Sequence, residues 1–297
     1  MGSKTNWAIL NGFGISLGDS LIGLQALSAA QQLGVIDHVP VLYRKPGLRR
    51  MVDKLYPVAE FARVVPLPET LDAADLLGDF ARVIDMRDFA FDADFRGVAM
   101  IDFFFARLGI DPTTVPGALK RNAWLAPRVR PVMPDFGSGY ALVCPVSSMS
   151  MRDMPPAAHA RVLRVLLDAG WKVATQGRVP EELEGRVVRV PALETVDQLA
   201  GLVAHAACMI STDTAMVHLA DAFDVPCLAF FTTHRPAWRV RDYPHCTAVH
   251  LPAKGLPEAL EFLRSPTDLQ ATMDAWTLRG ADFAWLEADL LGFLREV

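Results

Sequence analysis

Residues 207–235, ACMISTDTAMVHLADAFDVPCLAFFTTHR, constrain the fold of this chain more than any other stretch. Cys208-Met209-Ile210 has the length and apolar texture of a buried parallel strand. Ser211, Thr212, Asp213 and Thr214 follow, four small polar residues suited to capping a helix. From Ala215 to Phe223 apolar residues recur at helical spacing, with Met216, Leu219, Ala220 and Phe223 on one face. Val225-Pro226 ends that helix, and Cys227 to Phe231 reads as the next strand. Strand, polar turn, helix, strand is a βαβ unit whose turn falls at the carboxyl end of a parallel sheet, where such folds bind ligands. The free N–H groups and partial positive charge at the helix start suit a phosphate.

The rest of the chain alternates in the same way. Trp7 to Leu10 reads as a first buried strand, followed by the glycine-rich turn Asn11 to Asp19 and a helix from Ser20 to Leu33 that Gly34 stops. That turn is not spaced as the GxGxxG of dinucleotide binders. Further strands are expected at Val39–Tyr43, Val64–Leu67 and Arg82–Asp85, and a helix at Phe95–Leu108 with Ile101, Phe104, Phe105 and Leu108 inward. The basic stretch Arg44, Lys45, Arg49, Arg50 and Lys54 is either a solvated face or an anchor for an anionic acceptor. Five prolines between Asp111 and Gly139 mark an interdomain connection, with the boundary placed near 136.

In the second half, strands are expected at Tyr140–Cys144, Trp171–Thr175 and Arg186–Val190. A helix runs from Pro155 to Ala169, and Thr195-Val196-Asp197-Gln198 is a capping box for another. Leu256–Leu263 reads as a short helix, Ser265-Pro266-Thr267-Asp268 caps the next, and Ala281–Leu294 is a final amphipathic helix. The pattern predicts an α/β protein of two doubly wound, Rossmann-like domains, 1–135 and 136–297, facing a central cleft, with the last helix free to pack back on the first domain.

A length of 297 residues suits two domains, and 52% hydrophobic residues suffice for two cores. A net charge of −5 argues against nucleic acid as the main partner. The four cysteines (Cys144, Cys208, Cys227, Cys246) lack CxxC spacing, so reduced core thiols in the cytoplasm are expected, with no metal and no cofactor. Neither a signal peptide nor a run of about 20 apolar residues is expected, which allows at most a peripheral place on a cytoplasmic membrane face.

Asp213-Thr214-Ala215-Met216-Val217-His218-Leu219-Ala220 resembles the D-T-G-x-x-H-x-A signature of the family 9 glycosyltransferases, the heptosyltransferase group with the GT-B fold. Leu17-Gly18-Asp19 is similar to that family's N-terminal G-D, and Val83-Ile84-Asp85-Met86-Arg87 to its strand-terminal I-D-x-Q. The loop Ser147 to Pro155, with Arg152, stands where the family has K-x-W-P. Departures are Ala215 for glycine, Arg152 for lysine, and Thr232-Thr233-His234-Arg235-Pro236 for G-P-T-x-P.

The resemblance implies an inverting, metal-independent transfer of a heptose-like sugar from a nucleotide diphosphate sugar to a glycan or glycolipid acceptor such as lipopolysaccharide core. Asp19 is the expected general base, with an N-cap carboxylate as its purely structural alternative. Arg152 is expected to meet the diphosphate, and Thr214, Ala215 and Met216 to offer it N–H groups. Asp213 either caps the helix or receives sugar hydroxyls, and His218 either reaches the diphosphate or orients Asp213. Glu182, with Glu181 as its alternative, is expected at the ribose, and Arg44, Arg49, Arg50 and Arg87 at the acceptor. Two alternatives stay open: a nucleotide-sugar epimerase or hydrolase of the same fold, and a non-catalytic nucleotide-binding protein.

Overall fold

The computed structural model describes residues 6–45, 50–70, 76 and 78–297, and for Arg50 the backbone only. It divides into two units, Met1–Val129 and Arg130–Val297. The division falls before 136 because Arg130 and Val132 already belong to the second unit: their N–H groups donate to the side chain and backbone of Asp197.

The first unit holds a parallel sheet of β1 (Trp7–Leu10), β2 (Val41–Arg44), β3 (Arg63–Pro66) and β4 (Arg82–Asp85), ordered β3-β2-β1-β4. In register, Leu10 lies opposite both Tyr43 and Asp85, so the turn after β1 opens at the centre of the carboxyl edge. Asn11, Gly12 and Gly14 take positive φ there, and a Cβ on Gly14 would come 2.9 Å from Phe89 and 3.4 Å from the Asp19 carboxylate. Helix α1 (Leu17–Gln32) begins earlier than Ser20, because Ser16 is its N-cap and accepts from Asp19 N–H at 3.1 Å. It is buried continuously from Ser20 to Ala30. The short α2 (Arg50–Leu55) follows β2.

Helix α3 (Met100–Arg107) starts at Met100, not Phe95, because Gly97 turns the chain through φ +78°. Phe103, Phe104, Phe89, Phe95 and Phe13 form one edge-to-face cluster, so the aromatic patch is core.

The second unit is a six-stranded parallel sheet of β5 (Tyr140–Cys144), β6 (Val173–Thr175), β7 (Val187–Arg189), β8 (Ala206–Thr212), β9 (Cys227–Phe231) and β10 (Cys246–His250). Its order is β10-β9-β8-β5-β6-β7. Helices α4 (Pro156–Asp168), α5 (Val196–Ala204) and α6 (Ala215–Ala222) connect successive strands. α5 carries the expected capping box of Thr195 and Gln198. After β10 the chain is irregular from Leu256 to Leu263, where a helix was expected. Pro257 interrupts the backbone there, and Leu260 N–H is taken by Thr233 O at 3.3 Å. Ser265 then caps α7 (Pro266–Ala275), and α8 (Ala284–Leu294) closes the chain. Trp276, Trp285, Leu286 and Leu290 pack with Val162 and Leu166 of α4 under Phe230 of β9, so α8 completes the core of its own unit. Among the described residues no helix is long and apolar enough to cross a membrane.

Candidate functional site

Three adjacent strands of the second sheet, β5, β8 and β9, deliver polar loops to one carboxyl edge. The loop after β5 is closed on itself: Met154 N–H donates to Pro145 O at 2.8 Å, and Ser147 N–H to the Asp153 carboxylate at 2.6 Å. Thr232, just beyond β9, donates from Oγ1 to Met151 O at 3.0 Å and ties that loop to its neighbour. Arg152 therefore projects from a fixed turn, Ser150–Arg152. Between the two loops β8 ends at Thr212 and presents Asp213, which is 3% exposed.

Arg152 and Asp213 come together. Arg152 Nη1 lies 3.6 Å from Asp213 Oδ2, and Nη2 reaches Ser148 Oγ at 3.3 Å. The nearer partner of Asp213 is His234, whose Nδ1 is 3.2 Å from the same oxygen and 3.0 Å from Thr233 Oγ1. Nε2 of the same ring faces Glu261 Oε1 at 2.9 Å, and Glu261 also accepts from Arg239 Nη2 at 2.8 Å. The result is an alternating chain: Arg152, Asp213, His234, Glu261, Arg239.

Burial opposes charge on Asp213, but Arg152, His234 and Arg239 outweigh it and hold the carboxyl well below the usual carboxylate range. Burial likewise opposes charge on Glu261; the contact with His234 and the field of Arg239 overcome it and lower the group to about 2.

Helix α6 starts beside this chain. Its cap is Thr214, not Asp213: Thr214 Oγ1 accepts from Met216 N–H at 3.0 Å and lies 3.4 Å from Ser211 Oγ. Met216 N–H is thus spent on the cap, and Ala215 N–H is the amide at the helix mouth that the cap does not use. His218 does not orient Asp213. Its Nδ1 meets Tyr243 Oη at 2.8 Å, and burial pushes the imidazole down to about 4, leaving it neutral near pH 7. Glu182, expected at the ribose, is exposed and paired with Arg164 of α4.

His234, Glu261 and Arg239 were not among the expected site residues. Their contacts with one another and with Asp213 span more than 20 residues of sequence and carry no spacing signal.

In the first unit Asp19 sits in the first turn of α1, half-buried, with its backbone rather than its carboxylate used by the Ser16 cap. Arg44 is not a solvated residue: its guanidinium stacks 3.7 Å from the Tyr56 ring centroid, with Nη1 3.5 Å from Asp53. Arg87 forks onto Asp85 at the end of β4, with Nε 3.0 Å and Nη2 2.5 Å from Oδ2. Arg49 lies outside the described residues, as does the side chain of Arg50. Among the described residues no group of three or more His, Cys, Asp or Glu side chains is arranged to hold a metal ion.

Residues 118–245 match the family model described as glycosyltransferase family 9 (heptosyltransferase). That segment includes Arg152, Asp213, His218 and His234 but not Asp19. No curated protein sequence matches the chain. Among solved structures, the chain resembles E. coli heptosyltransferase WaaC with ADP-2-deoxy-2-fluoro heptose at 18% identity and TM-score 0.56, over 83% of this chain and 93% of that one. It resembles the iron-containing dodecameric glycosyltransferase TibC of enterotoxigenic E. coli H10407 at 15% identity and TM-score 0.64, over 99% and 76%. It also resembles E. coli ADP-heptose lps heptosyltransferase II at 13% identity and TM-score 0.59, over 98% and 100%. The two Rossmann-like units are those of the GT-B fold.

Proposed function

We propose that the chain is a glycosyltransferase of family 9, on the match over residues 118–245, and that it moves a heptose from an ADP-activated donor to a cell-surface glycan such as lipopolysaccharide core. The donor is held by the second unit and the acceptor by the first. The observation that carries this is the delivery of Arg152 and Asp213 by neighbouring strands to the mouth of α6.

The chemistry follows from what each group offers. An acceptor oxygen attacks the anomeric carbon while the bond from that carbon to the diphosphate oxygen breaks, inverting the centre. The electron pair leaves with ADP, whose growing negative charge is met by the Arg152 fork and by Ala215 N–H at the α6 start. Asp213, held ionised, accepts hydroxyls of the sugar. The proton lost by the acceptor goes to the Asp19 carboxylate. No divalent cation is needed in this scheme, so transfer continues in the presence of a chelator.

Calorimetric titration with ADP tests the donor site. ADP binds the unsubstituted protein, and Arg152→Ala weakens it at least about tenfold, the size of one charge-assisted hydrogen bond. If neither ADP nor any other nucleoside diphosphate binds, the donor-site proposal is wrong.

A further inference from the structure

His234 is 1% exposed, yet both its ring nitrogens face carboxylates, Asp213 at 3.2 Å and Glu261 at 2.9 Å. The segment that bears it is strapped at both ends. Thr232 Oγ1 holds Met151 O, and Thr233 O accepts from Leu260 N–H, which brings Glu261 to the ring. An imidazole fixed in this way cannot turn from one carboxylate without leaving the other.

The consequence falls on Arg152. At 3.6 Å its contact with Asp213 is an ion pair without a proper hydrogen bond. Its Nε is enclosed and has no hydrogen-bond partner among the described residues. Nη1, too far from Asp213 for a hydrogen bond, is the N–H group with capacity left for a ligand. Left alone with Arg152, the Asp213 carboxylate would draw Nη1 in from 3.6 Å to a full charge-assisted hydrogen bond. Among the described residues it is His234, at 3.2 Å, that shares it.

Resting on the donor-site proposal above, we propose that His234 is a positioning residue for the donor diphosphate. Through Nδ1 it holds the Asp213 carboxylate in place and keeps Arg152 from closing onto it, so the guanidinium remains available to phosphate oxygens. Nε2 and Glu261 serve as the anchor that fixes the ring. The groups facing the imidazole are Asp213 after β8, Thr233 on its own segment, and Glu261 from the strand-free stretch before α7, with Arg239 behind Glu261 and Arg152 behind Asp213. Their four formal charges, Arg152 and Arg239 against Asp213 and Glu261, cancel.

Two variants separate the arms. His234→Asn keeps an N–H donor where Nδ1 stands and loses the reach to Glu261. His234→Gln keeps a donor near Nε2 and loses the contact with Asp213. Binding of ADP is measured by calorimetry, and folding of each variant by urea unfolding. The expected result is a loss of ADP affinity of about tenfold in His234→Gln, with His234→Asn within about threefold of the unsubstituted protein, although both variants lose stability. A merely structural histidine would give no such split between variants of similar stability. Equal ADP affinity in the two variants, or unchanged affinity in His234→Gln, overturns the positioning role while leaving the donor site standing. If the unsubstituted protein binds no nucleoside diphosphate, the donor site fails and the role of His234 falls with it.

Discussion

Replacing Glu261 with Gln tests the electrostatics of the Arg152–Arg239 chain directly. The carboxyl is lowered from 4.5 to about 2 in the folded protein, burial being outweighed by His234 and Arg239. That lowering corresponds to stability on the order of 3 kcal/mol at neutral pH. Because the folded-state value lies below the unfolded one, the contribution is nearly complete above pH 5.5 and is lost as pH falls through 4.5 toward 2. At pH 3 less than half of it remains.

Urea unfolding at pH 7 and pH 3, followed by hydrogen exchange of the β8 and β9 peptides, reports on the second unit alone. Glu261→Gln should be less stable than the unsubstituted protein at both pH values, and the gap should narrow by about 2 kcal/mol at pH 3. His159 and His218 are buried and lowered to about 4, so acid also weakens the fold through them. Both proteins share that loss, and it cancels in the difference. Gln also leaves Arg239 short of a charged acceptor. A gap of equal size at pH 7 and pH 3 would refute the ion-pair account of Glu261.

Gly23→Ala should destabilise the first unit, because a Cβ there would fall 2.0 Å from Phe13 Cγ in the core. The gain in helix propensity of about 1 kcal/mol is smaller than the overpacking cost of about 1–3 kcal/mol, and ADP affinity should not change. Thr214→Ala removes the α6 cap on Met216 N–H and should lower second-unit stability by about 1 kcal/mol, read from the same exchange profiles.

Much of this architecture is legible in local pattern. Trp7–Leu10, Tyr140–Cys144 and Cys227–Phe231 are strands over the expected residues, since a buried parallel strand is a short apolar run, and so is the half-exposed Arg82–Asp85. β10 was missed because Cys246–His250 lies at the sheet edge, half-exposed and mixed in polarity. The Leu256–Leu263 segment shows tertiary contact overriding helical spacing, and that departure is what carries Glu261 to His234. Asp213 directly follows β8, and Arg152 lies in the loop after β5, so both fall at the carboxyl edge that strand positions alone mark out. His234 was visible only as part of an odd sequence, Thr232-Thr233-His234, since its role depends on partners 21 and 27 residues away. Arg44 read as a charge-run residue, and only packing against Tyr56 reveals it as buried.

The central claim, a glycosyl transfer that uses donor groups of the second unit and a base in the first, is tested most directly by ADP release from ADP-heptose. The unsubstituted protein should release ADP when a lipopolysaccharide-core acceptor is present. Asp19→Asn should lose at least about a hundredfold in that rate while binding ADP as before. Acceptor-dependent release at an undiminished rate in Asp19→Asn, or isomerisation of the donor sugar with no acceptor present, would contradict the account.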